Sequence, residues 1–350
     1  MPGTDAGCLF LFLTVLRAAT LRACLAAAVL AGAVAAPAHA ASAASWDGAE
    51  QRTAVRAYLM AAGAHGFDGG APLAAGDLRL ALSGLASRLG VAVSVSPGTP
   101  TVASFDRALV AQLGLLDVAR SVQAEAAHAG LRPPARFGTE VVARQLGLRE
   151  NHPAADDRLE RFPSDPVTRA QAAWSLARVV GFGGWEVDYA RTLLSTFSLP
   201  SYSAAQRQAL SIAVSRVGYP YVWGGESDGT FSTLGGGQVH GGYDCSGFVW
   251  RVFKLSGLAA GRGIGGRTAA QMAGEIPRSG RIHLRDVRGG DILFFGSARF
   301  GSRATEGNVT HTGIALSRDW VINSSSQGVY VLPLSSGWLH DSFAWARRVL

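Results

Sequence analysis

Apolar residues recur at helical spacing through most of the chain and switch to shorter, strand-like runs near its end. The segment 72–82 opens on Pro72 and leads into apolar residues at 78, 82, 85 and 89, which share one helical face. Segment 166–176 opens on Pro166, with Ala173, Leu176 and Val180 on one side. Proline in the first turn followed by periodic apolar residues predicts a helix start in both places. A third helix is predicted from Phe105 to the Gly114-Leu115 break, then a helical run over 117–128. Residues 204–217 make another, closed by Gly218 with Pro220 behind it. Phe248, Val249, Val252 and Phe253 fall on one face and predict a buried helix beginning near Cys245. Beyond it, 289–295 reads as a buried strand entered through Asp291. Residues 308–316 and 321–325 read as two strands of a hairpin turning at Arg318-Asp319. The order implies a mainly α-helical region over 41–200 and an α+β region over 201–350, with the boundary around residues 198–202.

The first forty residues have a different pattern. Arg17 and Arg22 precede an apolar run from Ala23 to Ala36, and Ala38-His39-Ala40 is a small-x-small cleavage signal. The pattern predicts a signal peptide cut after Ala40, hence a secreted or wall-associated protein; retention as an anchor is the alternative. Of the three cysteines, Cys8 and Cys24 would leave with that segment and only Cys245 would remain. A lone cysteine has no internal disulfide partner, so it is either a buried inert thiol or a reactive one.

Charge is uneven. Residues 41–200 carry 15 arginines against 15 acids, whereas residues 201–350 carry 15 cationic side chains against 9 acids. A basic C-terminal half suits an acidic polymer such as cell wall, or reflects scattered solvating arginines. No nucleic-acid-binding module is recognisable and export excludes that partner. The acids of segment 152–157 are ordinary for a polar loop, and no metal site is expected there.

Candidate chemistry centres on Cys245. Asp244 is placed to cap the helix that Cys245 begins, and helix-start amides favour thiolate, which predicts a lowered thiol pKa. His311 opens one predicted strand and Asn323 sits on the returning one, so a hairpin brings them together. A cysteine nucleophile needs an imidazole to take its proton and a polar group to orient that imidazole. Taken singly, His311 is equally a strand histidine and Asn323 a turn residue; their joint order after Cys245 gives them the catalytic reading.

Six ordered stretches of residues 203–350 resemble the NlpC/P60 family of papain-like cysteine peptidases. They are residues 218–225 (with Tyr221), 244–247, 267–271, 290–295, 311–314 and 346–348. The resemblance implies a central antiparallel sheet packed on the nucleophile helix. It implies Cys245 as nucleophile, His311 as base and Asn323 as the orienting residue, where the family frequently has histidine. It also implies that Tyr221 lies beside the nucleophile, and that Asp244 and Ser246 contact the substrate's free amino end. The implied activity is that of a peptidoglycan endopeptidase cutting stem peptides, typically between D-glutamate and a diamino acid, without cofactor, as a monomer. A wall-binding protein that no longer cleaves, and an acyl or amide transferase using the same thiol, are the alternatives from other classes.

Residues 162–170 bear a short resemblance to the opening of S-layer homology repeats, so 41–200 reads as a wall-docking or regulatory region or as a helical spacer. The long link 226–242 reads as a mobile surface loop, with His240 in reach of the cleft as the alternative. The Gly/Arg-rich segment 296–308 is expected to rim the site. Trp223, Trp320 and Trp338 are expected in core or rim packing.

Overall fold

The computed structural model describes residues 47–93, 98–233, 237–335 and 337–350. The predicted signal peptide and its predicted cleavage site, with Cys8 and Cys24, lie outside the described residues.

The N-terminal part is helical, as its periodicity predicts. It comprises α1 (Gly48–Arg56), α2 (Ala75–Leu89), α3 (Val102–Gln112), α4 (Leu116–His128), α5 (Phe137–Gln145), α6 (Arg169–Val180) and α7 (Glu186–Ser195). Helix α8 (Ala204–Ser215) begins the C-terminal part. Local chemistry sets several starts: Thr101, Thr168 and Ser203 each close a capping box with the residue three positions on. Gly90 ends α2 in the left-handed region, at φ 67°. The predicted faces are the buried ones, with Leu78, Leu82 and Leu85 inside on α2 and Ala173 and Leu176 inside on α6; Leu89 is exposed. Segment 152–157 differs from the expected polar loop. Ala154–Leu159 is a 3₁₀ turn, with His152, Asp157 and Glu160 buried around it.

Within the link 226–242 the described residues form two short ladders. Strands β1 (Glu226–Ser227) and β4 (Gly242–Tyr243) pair, as do β2 (Phe231–Ser232) and β3 (Gln238–Val239). His240 stays exposed and sits 3.0 Å from Asp165.

The sheet comprises β5 (Ile292–Phe295), β6 (His311–Ala315), β7 (Trp320–Ser325), β8 (Gly328–Pro333) and β9 (Phe343–Arg347), all antiparallel in the order β8-β7-β6-β5-β9. Both faces are buried. Ile292, Phe294, Ile314 and Ile322 face the main core, while Leu293, Phe295, Ala315 and Val321 pack with Leu334 and Leu339 on the other side. This alternation is the period-2 geometry of a strand with no solvent face. The helix that Cys245 opens, α9 (Cys245–Trp250), packs on β6 and β7 and runs into a π turn over Arg251–Leu255. Phe248, Val249, Val252 and Phe253 are all fully buried, as their spacing predicts. Asp291, at the entry to β5, accepts two hydrogen bonds from Arg348, from Nε at 2.9 Å and Nη2 at 2.8 Å. Such a paired geometry holds the chain leaving β9 against the entry to β5. The short helices α10 (Ala269–Gly274) and α11 (Gly337–Asp341) complete the elements used below. Residues 44–350 form one compact unit, so the helices and the sheet share a continuous core.

Candidate active site

Asp244 caps α9 in the extended conformation, its carboxylate accepting the Gly247 N–H. The Ser246 hydroxyl donates to the same oxygen at 3.0 Å. The helix start approaches its surroundings very closely. A Cβ on Gly247 would stand 1.8 Å from the Gly225 carbonyl oxygen and 2.7 Å from Arg267 Nη2. Glycine at 247 is what lets Cys245 meet the 218–225 loop.

Arg267 organises this end of the cleft. It donates to Glu226 at 2.5 Å, to Ser246 Oγ at 2.9 Å and to Asp244 Oδ1 at 3.3 Å, and to the carbonyls of Gly224 and Gly225. Five acceptors on one planar cation fix α9, the loop and β1 together. Sequence reading gave Arg267 no role, although it stands directly before the Thr268–Gln271 capping box of α10.

Tyr221 neighbours Cys245, on a segment bridged in parallel to Tyr243. Burial first, then the neighbouring Cys245 and Asp244, push its phenol well above the usual tyrosine range.

His311 and Asn323 meet across β6 and β7, with Nε2 and Oδ1 3.0 Å apart. An amide oxygen only accepts, so Nε2 carries the hydrogen and Nδ1 keeps the basic lone pair. Asn323 faces Gly313 in the ladder, and a Cβ at 313 would stand 3.0 Å from the Asn323 Cβ. Trp338 stands edge-to-face on His311 at 5.6 Å between ring centroids, and the two help line a cavity of about 260 Å³ with Tyr330 and Leu332. Trp338 therefore rims the site, Trp223 is exposed, and Trp320 is core.

The thiol is not lowered as the helix start alone predicts. Burial, then the Asp244 carboxylate, push Cys245 up to about 11, against the Thr312 and Ser246 amides and Arg267. Burial lowers His311 to about 4, partly opposed by its Asn323 hydrogen bond and by Asp244. At neutral pH the resting pair is therefore thiol and neutral imidazole. Six residues of α-helix with a carboxylate at the cap do not offset the loss of water around the sulfur.

Among the described residues no cluster of three His, Cys, Asp or Glu side chains is placed to hold a metal ion. The Gly/Arg segment 296–308 leaves the sheet at the end where Phe295 pairs with His311, and its Glu306 accepts from Thr268 at 2.6 Å. It thus reaches from the His311 side to the Arg267 side.

The NlpC/P60 family profile matches residues 218–348. Over 152 residues the chain is 28% identical to the bifunctional muramidase/DL-endopeptidase CwlT of Bacillus subtilis, covering 43% of this chain and 38% of that protein. It is also 28% identical over 113 residues to the gamma-D-glutamyl-L-lysine dipeptidyl-peptidase of Bacillus subtilis, covering 32% of this chain and 29% of that protein. The chain thus spans less than two fifths of the length of either relative. A crystal structure of an NlpC/P60 family protein from Bacillus cereus is 22% identical, with TM-score 0.30, over 44% of this chain and 42% of that one. Residues 218–348 belong to the NlpC/P60 family.

Proposed function

We propose that the chain is a cysteine endopeptidase of the bacterial cell wall, cutting peptidoglycan stem peptides at the bond between D-glutamate and a diamino acid. The observation that carries the reading is the His311–Asn323 pair, which leaves Nδ1 basic, on the sheet against which the Cys245 helix packs. The names of the two relatives, a DL-endopeptidase and a gamma-D-glutamyl-L-lysine dipeptidyl-peptidase, support the bond.

In this reading His311 Nδ1 takes the Cys245 proton as the sulfur attacks the scissile carbonyl carbon. The imidazolium then returns that proton to the leaving amine as the C–N bond breaks, giving a thioester. Neutral His311 next removes a proton from water, whose oxygen attacks the thioester. The acid is released and the proton returns to sulfur. Asn323 holds the ring throughout. Tyr221, Asp244 and Ser246 line the side that receives the free amino end of the stem. Secretion to the wall and action as a monomer complete the proposal.

The test is mass analysis of purified muropeptides after incubation with the chain and with its Cys245→Ala variant. New fragments ending at D-glutamate from the first and none from the second are expected. Equal fragmentation by both would end the assignment of Cys245.

A further inference from the structure

We propose that Asn151 and Asp157, in the helical region outside the family match, are positioning residues that hold the Tyr221 wall of the cleft. The inference rests on the peptidase reading for its activity arm only.

The Tyr221 segment has no helix and only a single-residue bridge to Tyr243, so its placement depends on what its backbone groups meet. Towards the sheet, Gly218 N–H donates to the Val329 carbonyl and Val329 N–H to the Tyr219 carbonyl, which ties residues 218–219 to β8. Past that point Tyr243 bonds the Pro220 carbonyl and the Val222 N–H on one side, at 3.1 and 3.3 Å, and the helical region supplies partners on the other. Asn151 Nδ2 donates to the Tyr221 carbonyl at 2.7 Å, and Asn151 N–H donates to the Ser326 carbonyl, also at 2.7 Å. One residue therefore joins the loop that carries Tyr221 to the turn after Ser325, two residues beyond Asn323. Arg144 spans the same two segments from α5, donating to Gly218 O at 3.2 Å and Gln327 O at 2.9 Å. Two residues further along the loop, the Trp223 N–H donates to Asp157 Oδ2 at 3.0 Å, and Asp157 is 4% exposed.

Tyr221 and Trp223 thus have a backbone group each fixed from the helical region, on either side of the fully buried Val222. Losing either partner loosens the segment that faces Cys245, leaving it its Tyr243 bonds alone on that stretch, with α9 and the sheet unaltered. A displacement near 1 Å in a substrate-positioning wall costs about a hundredfold in rate. The role of the helical region in this proposal is to complete one wall of the cleft.

The test uses the full chain with Asn151→Ala, Asp157→Ala and Asp157→Asn, the last of which keeps an acceptor oxygen. Amide exchange over residues 221–223 is expected to rise about fivefold or more in the two alanine variants, with β5 and β6 protected as before. The kcat/KM on stem peptides is expected to fall about 10- to 100-fold. Alkylation of Cys245 by iodoacetamide stays at its original rate, and Asp157→Asn restores both exchange and activity. Unchanged exchange in the alanine variants, or faster exchange with full activity, overturns the proposal. Loss of protection throughout the sheet overturns it as well, because the residues would then be general fold supports. Absence of cleavage by the unaltered chain would remove the peptidase reading instead, leaving the exchange pattern to decide the clamp.

Discussion

His311 Nε2 and Asn323 Oδ1 stand 3.0 Å apart on a diagonal of the β6–β7 ladder, beside the glycine that leaves space for Asn323. The hydrogen bond sets both the tautomer and the ring plane. Asn323→Ala is expected to lower kcat about a hundredfold, while Asn323→His, which offers a ring nitrogen as acceptor, retains most of it. The check is steady-state cleavage of a stem peptide. Full activity in the alanine variant would show that β6 alone orients the imidazole.

The neutral resting pair has its own pH signature. As pH falls toward about 4, His311 gains a proton and cannot take that of the thiol. As pH rises toward about 11, Cys245 loses the proton that the leaving amine needs. The kcat/KM profile should therefore be a broad plateau between those limits. An acid limb near the ordinary histidine value would place a resting ion pair at the site instead.

Gly247→Ala tests the close approach of α9 to the loop. Its Cβ would meet the Gly225 carbonyl oxygen well inside contact distance, so the helix or the loop must move. A loss of about 1–3 kcal/mol in stability is expected from such overpacking, read by urea unfolding. Cys245 alkylation should change with it, since the helix start carries the sulfur. Unaltered stability and alkylation together would mean that the loop yields freely.

Arg144 is 3% exposed and sits between Glu140, which it bonds, and Asp106, whose carboxylate is 3.7 Å away. Burial raises the Glu140 carboxyl despite that partner. Arg144→Ala leaves Glu140 in the core without its partner, while Asp106 keeps Arg149, and should cost about 3–5 kcal/mol, whereas replacing Arg144 and Glu140 together by leucine should recover part of it. Urea unfolding of both variants decides. A double variant no better than the single one would assign the loss to the carbonyls of Gly218 and Gln327.

Legibility in the sequence followed the range of each interaction. The α9 face, its Asp244 cap and the β6–β7 hairpin are set by residues a few positions apart, and periodicity and capping chemistry expose them. Asn151, Asp157 and Arg267 act through polar contacts to residues distant in sequence, which leave no periodic trace. The raised thiol escapes the sequence for a related reason. A helix start is visible in sequence, but burial of the sulfur comes from packing against β6 and β7. The glycines of 226–242 hide the two short ladders that the described backbone forms there.

The staple from Asn151 to Ser326 closes a loop of 175 residues. The entropy of such a closure grows only slowly with length, yet it is spent before the contacts it permits can form. The helices of the N-terminal part can form from local contacts, whereas the cleft wall waits for the β7–β8 turn to reach it. In the peptidase reading, copies that lack this closure carry Cys245 without the Asn151 contact that helps hold the Tyr221 wall.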